Sequence, residues 1–367
     1  MQGEIIKGFL RNKLPYRLFI AIEIMYGRYL KYWKKNGKDC HMAYFYRKKF
    51  NAKEKYCIFR GCKPGYAIFA AGLQYIFAYE FALSKGYIPV FDLEYTYDFR
   101  QHNFGKENDW EYCFEQNVSV KEALKKDFIL VEDTTIGWLD KTCIDINGKR
   151  GDHYIHLRKN NWREYYANVN KYIQKSWIFK EEFINKYMKE CGYIINGNNG
   201  ILGVSLREAF SMDIHSKRKN EAKKIYDDHP MNPGIQEVLT IVKEYMSKWK
   251  CNKIFLSTVY RESIEIFKHE FGDDLLYLER RRASFEDVLT QPDGWSMSEK
   301  EICEYAASKV EDTKQIAIEY VEEVLGLSEC DYLIAATSSG SIAALSLNGG
   351  KYKDIYILPD KNRVIRY

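Results

Sequence analysis

The chain has 367 residues, enough to bury two cores of ordinary domain size. No run approaches the 18 or so apolar residues of a membrane span and the start lacks a signal-peptide pattern, so a soluble, cytoplasmic protein is expected. Nine scattered cysteines fit a reducing compartment better than a disulfide framework, Cys57 and Cys62 lack a second pair that would make a zinc site, and the net charge of +5 is uneven: residues 1–60 hold 15 Lys and Arg against 4 Asp and Glu, a surplus of 11 that leaves the remainder at −6.

In chain order, residues 1–55 read as a basic arm. Leu10, Leu14, Leu18, Ile22 and Met25 recur at helical spacing among Arg11, Lys13, Arg17 and Arg28. Such a helix either lies on an anionic membrane surface or packs on the body of the protein with its basic face in solvent. Nucleic acid is not expected as a partner, because the rest of the chain is acidic and carries no nucleic-acid motif.

Residues 56–196 read as a first Rossmann-like α/β domain. Tyr56-Cys-Ile-Phe59 predicts a strand, Arg60 to Gly65 a glycine turn, Tyr66 to Leu83 a helix, and Gly86 to Asp92 a second strand, together a βαβ unit. From Tyr95 to Trp162 the sequence is polar and broken, which predicts loops over a cleft, with Trp110 and Glu111 in its most distinctive stretch. A helix follows to about Lys189, and Asn196-Gly-Asn-Asn-Gly200 marks the expected domain boundary.

Residues 197–350 alternate strand and helix as a doubly wound parallel sheet does, and residues 351–367 add a last strand and tail. Strands are predicted at Gly203–Arg207, Lys253–Thr258, Leu275–Leu278, Asp331–Ala336 and Asp354–Leu358. Helices are predicted at Gly234–Trp249, Arg261–Phe271, Ser298–Leu325 and from Ile342. Arg280-Arg-Arg282 reads as a solvated turn, or as a basic group that reaches phosphate or an acidic acceptor. The fold class is therefore α/β, two Rossmann-like sheet domains facing a cleft.

Two strand ends carry the chemistry. Gly203-Val-Ser-Leu-Arg207 ends in a guanidinium, and Asp331-Tyr-Leu-Ile-Ala-Ala-Thr-Ser-Ser-Gly-Ser341 ends in a polar loop that opens a helix. Ligands of open α/β sheets bind at such ends, and an arginine with a serine-rich helix start suits a diphosphate. A strand-end salt bridge for Arg207 and a plain helix cap for Ser338-Ser-Gly340 are the ordinary alternatives.

These motifs are similar to those of the GDP-fucose-dependent fucosyltransferases, which include core α1,6-, nodulation and protein O-fucosyltransferases. The family strand G-V-H-V-R stands here as Gly203-Val-Ser-Leu-Arg207, a His-Pro pair as His229-Pro230, and a strand followed by T-D-D as Phe255 to Thr258 with Val259 and Tyr260 in place of the acids. The motif L-S-x-A-D-F-L-V-x-x-x-S-S stands as Leu327-Ser-Glu-Cys-Asp331-Tyr-Leu-Ile and then Ser338-Ser339. Gly61-Cys62 and Trp110-Glu111-Tyr-Cys-Phe114 also have counterparts. Ser205 stands where the family has a purine-holding histidine, and Glu208 where it has a second arginine.

The resemblance covers about residues 57–346 and implies a GT-B arrangement with inverting, metal-independent transfer of a sugar, fucose above all, from a GDP-linked co-substrate and without a cofactor. It makes Arg207 the catalytic residue and places Ser205, Arg207, His229, Thr258, Glu323, Thr337, Ser338, Ser339 and Gly340 at the donor. If Glu323 does not contact the donor, it reads as an exposed helix acid. Gly61, Trp110, Glu111 and Glu208 are acceptor-side or cleft candidates. Glu208, Asp213 and His229 are possible bases by position, and the departing phosphate itself is another. The acceptor implied is a glycan, surface polysaccharide or lipid-linked saccharide, reached from the inner face of the membrane if the arm binds it. A transferase for another nucleotide sugar and an inactive scaffold of a polysaccharide-assembly complex are the alternatives.

Overall fold

The structure, a computed structural model, describes residues 46–48, 53–60, 68–93, 108–132, 161–192, 199–207, 232–280, 282, 284 and 313–359. The chain divides into two compact units, residues 1–150 with 175–178 and residues 151–174 with 179–367. The amphipathic pattern of the arm, Gly61, Cys62, Glu208, Asp213, His229 and Pro230 lie outside the described residues.

In the first unit β1 (Tyr46–Lys48), β2 (Lys55–Arg60), β3 (Ile88–Asp92) and β4 (Asp127–Glu132) form one sheet in the order β1-β4-β2-β3. β4, β2 and β3 run parallel, and β1 joins the edge antiparallel. The expected βαβ unit is present: α1 (Ile68–Ser84) connects β2 to β3. Tyr56 to Phe59 are all buried, as a strand covered on both faces must be, which explains their unbroken apolar sequence. β4 lies where only loops were expected, because its apolar run Phe128-Ile-Leu-Val131 is four residues long in a polar stretch and cannot be assigned from periodicity alone. Just before it, Ser119 and Glu122 close a capping box on the single turn α2 (Val120–Ala123).

The core of this unit is aromatic. Tyr75 stacks on Phe91 at 4.3 Å between centroids and Trp110 on Phe114 at 4.0 Å, and Trp177 packs edge-on against both members of the second pair. Such pairs add about 0.5–1.5 kcal/mol each beyond the area they bury.

The second unit holds a five-stranded, wholly parallel sheet in the order β7-β6-β5-β8-β9. Its strands are β5 (Ile201–Ser205), β6 (Lys253–Ser257), β7 (Leu275–Leu276), β8 (Tyr332–Ala335) and β9 (Asp354–Ile357). Its helices are α3 (Trp162–Ser176, through Gln174), α4 (Glu181–Tyr187, continued by a π turn at Met188–Gly192), α5 (Ile235–Trp249), α6 (Arg261–Phe271), α7 (Thr313–Ser328) and α8 (Ser339–Asn348). All five residues of β5, the central strand, are buried. Val238, Leu239 and Val242 of α5 and Ile264 and Phe267 of α6 fill one core with Leu202, Val204, Ile254, Leu256 and Ile334. Gly203 packs closely: a Cβ there would stand 3.2 Å from Cys330 Sγ and 3.3 Å from Leu327 Cδ2, so both side chains would have to give by a few tenths of an ångström. The two-sheet α/β class expected from the sequence is the one observed.

The division of the chain falls earlier than the boundary expected at residue 196. The reason is the side chains of α3: Asn170 donates to the Ser346 and Leu347 carbonyls at 2.8 and 2.9 Å, and Arg163 donates to the Lys353 carbonyl. Trp177 instead donates to the Gly72 carbonyl at 3.3 Å, so residues 175–178 belong with the first unit. The last strand expected at Asp354–Leu358 is present as β9, which pairs with β8 over four residues and is an edge strand of the sheet.

Candidate active site at the strand ends of the second sheet

Parallel register brings the chemistry to one edge. Ser205 pairs with Ser257 of β6 on one side and Ala335 of β8 on the other. The ladders continue past the strands, Leu206 N–H to the Ser257 carbonyl and Ala336 N–H to the Ser205 carbonyl, both at 3.0 Å. Leu206-Arg207, Thr258 and Thr337-Ser338 therefore leave the sheet at the same carboxyl edge, where α/β ligands bind.

At the β8 exit the backbone turns into α8. Ser338 is its N-cap: the hydroxyl accepts the Ser341 N–H at 3.1 Å and lies 2.9 Å from Ser341 Oγ, which is itself 3.1 Å from Ser205 Oγ. The three hydroxyls form one chain across the β5 and β8 exits. The leading N–H groups of a helix have no intrahelical partner, so α8 presents its positive end at this edge. Gly340 leaves room there for the Tyr320 hydroxyl of α7, which a Cβ would force to shift. At the β5 exit Asn232 Nδ2 donates to the Arg207 carbonyl at 3.1 Å and fixes its backbone. Asn232 is 4% exposed and its Oδ1 has no hydrogen-bond partner among the described residues. Arg207 itself is part-exposed and, with Leu206, Asn232, Pro233, Ile235, Val238 and Leu358, lines a recess of only about 10 Å³.

The β6 exit is held by a buried charge cluster that the sequence did not announce. Glu323 of α7 is 0% exposed; it accepts from Ser257 Oγ at 2.6 Å, Arg280 Nη2 at 2.7 Å and Arg282 Nη2 at 3.0 Å. Arg280 Nη2 and Arg282 Nε each donate to the Thr258 carbonyl at 3.2 Å, and Arg282 Nη2 donates to that of Leu278 at 2.7 Å. Burial pushes the Glu323 carboxyl up from its ordinary range, and the two guanidiniums pull it back. Burial likewise lowers Arg282, against the opposing charge of Glu323.

Several expectations change accordingly. Glu323 is not an exposed helix acid: both of its oxygens are occupied by Arg280, Arg282 and Ser257. Arg280 and Arg282 are not a solvated turn, their side chains being 6% and 5% exposed. Thr258 is 1% exposed, with its carbonyl on the two arginines and its hydroxyl accepting the Tyr260 N–H. Trp110 is not a cleft residue, because it is wholly buried in the aromatic core of the first unit. Glu111 accepts from Asn108 and Gln116, whose amides hold the backbone of Phe91 at the end of β3. Ser205, Arg207, Thr337, Ser338, Ser339 and Gly340 are gathered at the edge. Ser257, Tyr320, Arg280 and Arg282 join them there. Only the Arg280–Arg282 run offered a sequence signal for those four.

No family model matches this chain, and no curated protein does. Solved structures similar to it over most of its length include the fucosyltransferase NodZ from Bradyrhizobium, at 12% identity over 80% of this chain and 92% of that one, with a TM-score of 0.43. A variant of FUT1 from Arabidopsis thaliana in complex with GDP is similar at 10% identity over 92% and 75%, TM-score 0.43. POFUT1 is similar at 9% identity over 84% and 99%, TM-score 0.40.

Proposed function

We propose that this chain is a glycosyltransferase that takes a sugar, fucose in the first instance, from a nucleoside diphosphate donor, with GDP as the leading nucleotide. The observation that carries this reading is the shared carboxyl edge, where Arg207 follows β5 and the Ser338-capped start of α8 follows the adjacent parallel strand β8. The orphan Oδ1 of Asn232 beside Arg207 supports it, because a buried acceptor without a partner marks a place where a ligand or water belongs.

In the reaction the acceptor hydroxyl attacks the anomeric carbon, the bond from that carbon to the β-phosphate oxygen breaks, and the electron pair leaves with the nucleoside diphosphate. The acceptor proton passes to a base or to the departing phosphate. Arg207 binds the growing charge through two N–H groups, and the N–H groups and dipole of α8 add to it. Loss of one such donor costs ~2.7–4 kcal/mol in the transition state, or ~10²–10³ in rate. Arg207→Ala is therefore expected to keep its unfolding temperature and lose transfer by that factor; turnover near that of the unaltered protein refutes the assignment.

The proposed acceptor is a surface polysaccharide, glycan or lipid-linked saccharide at the inner face of the cell membrane, with residues 1–45, the part of the expected arm that precedes β1, facing the membrane. No described helix is long and apolar enough to cross a membrane. One feature favours a second reading, an inactive scaffold: Val259 and Tyr260 follow Thr258 where the family resemblance calls for acids, and Tyr260 is buried at 2% exposure. Hydrolysis of the donor in the absence of acceptor separates the two, since a scaffold releases no sugar.

A further inference from the structure

A cavity with none of Ser205, Arg207 and Ser338 among its lining residues lies between the end of α4, the segment after β7 and one face of α7. It holds about 180 Å³, and Lys186, Tyr277, Arg280, Gln315, Glu319 and Glu322 are among its walls. Gln315, Glu319 and Glu322 repeat at helical spacing and share a face of α7, whereas Tyr320 meets Gly340 and Glu323 meets Ser257.

Two wall atoms are buried and without hydrogen-bond partners among the described residues. One is a donor, Arg280 Nε, on a side chain 6% exposed; the other is an acceptor, Glu322 Oε1, also on a side chain 6% exposed, with the Lys186 ammonium 3.8 Å away. An unmade hydrogen bond at a buried polar atom is destabilising, so such atoms mark a place for a ligand or for water. A single ordered water needs roughly 10–15 Å³ of such space. The volume here is more than ten times that.

The charges of the wall select the chemistry. Glu319 and Glu322, with Glu190 and Glu279 at the rim, disfavour an anion, and a cation, although the carboxylates attract it, offers no acceptor to Arg280 Nε. A neutral ligand rich in hydroxyls meets both orphans, since each hydroxyl donates and accepts, and a ring of about a dozen heavy atoms suits the space. We propose that this cavity is a second ligand site, taking a neutral polyhydroxylated compound of monosaccharide size through Arg280 Nε and Glu322 Oε1. Arg280 is the part it shares with the strand-end site, because its Nη2 holds Glu323 and the Thr258 carbonyl.

The test is saturation-transfer NMR on the full chain with glucose, galactose, fucose and N-acetylglucosamine, and with phosphate and cadaverine as charged probes. At least one sugar is expected to bind in the millimolar range and the charged probes not to bind. Glu322→Leu is expected to weaken the sugar tenfold or more, as is the second wall variant Glu319→Ala should the first unfold. Arg207→Ala should leave it unchanged, so the outcome is independent of the proposed transfer. Absence of binding by all four sugars, with water alone in the cavity, overturns the proposal. So does sugar binding that survives both cavity variants or is lost in Arg207→Ala, or a charged probe that binds in place of the sugars.

Discussion

Glu323 decides what the β6 exit is made of. A carboxylate with no exposure between two guanidiniums at 2.7 and 3.0 Å is stable only as a set, because removing one partner leaves the others charged and dry. Breaking such a pair costs about 3–5 kcal/mol, while replacing the whole set by apolar residues of similar volume is near neutral. Denaturant unfolding of Glu323→Ala is therefore expected to show a loss of that size, with Arg280→Met/Arg282→Met/Glu323→Leu recovering most of it. Equal losses in the single and triple variants contradict a coupled cluster. None of this was legible in the sequence beyond the position of an acid: Glu323 meets Arg280 and Arg282 from 43 and 41 residues away, and an Arg-rich tripeptide looks the same whether buried or solvated. Arg207 and Ser338-Ser-Gly340 were legible because strand-end arginines and serine caps act locally, through the backbone that immediately follows each strand.

Among the elements, the strand ends opposite the site depend on one residue. Asp331, just before β8, accepts the Gly200 and Ile201 N–H groups at 2.8 and 3.1 Å, at the head of β5, and pairs with Lys353, just before β9. It thus ties together the starts of three neighbouring strands. Burial alone would raise its carboxyl, but the Lys353 hydrogen bond and the two N–H groups outweigh that and hold it below its usual range. A carboxyl lowered in the fold contributes stability above its unfolded pKa, and that contribution is lost as the pH falls through the folded value. Asp331→Asn should therefore be less stable at neutral pH and lose less stability on acidification; an unchanged acid limb would contradict this role. The alternation of β5 to β9 was readable because each strand is a short apolar run and the helices α5 and α6 between the first three are amphipathic. β4 was not, since four apolar residues in a polar stretch satisfy a loop, a strand and a helix turn alike.

At the scale of the molecule the unequal charge is a separate, testable property. The surplus of 11 positive charges in residues 1–60 on an otherwise acidic chain favours an anionic surface, and juxtaposed basic residues contribute about 1 kcal/mol each near one. Flotation with vesicles should show the full chain on anionic lipid and not on neutral lipid, with the preference lost on deletion of residues 1–45. Equal binding to both vesicles by both proteins excludes membrane recruitment through the arm. Two units could be anticipated from length, but not their division, because α3 is assigned by where Asn170 and Arg163 donate and not by its amphipathic pattern.

The account turns on one pyrophosphate site shared by Arg207 and the start of α8, and calorimetric titration of GDP, UDP and ADP into the full chain and into Arg207→Ala tests it most directly. The prediction is saturable binding of one diphosphate, GDP first, weakened at least tenfold in the equally stable variant. No binding of any of the three, or binding that is indifferent to Arg207, contradicts it.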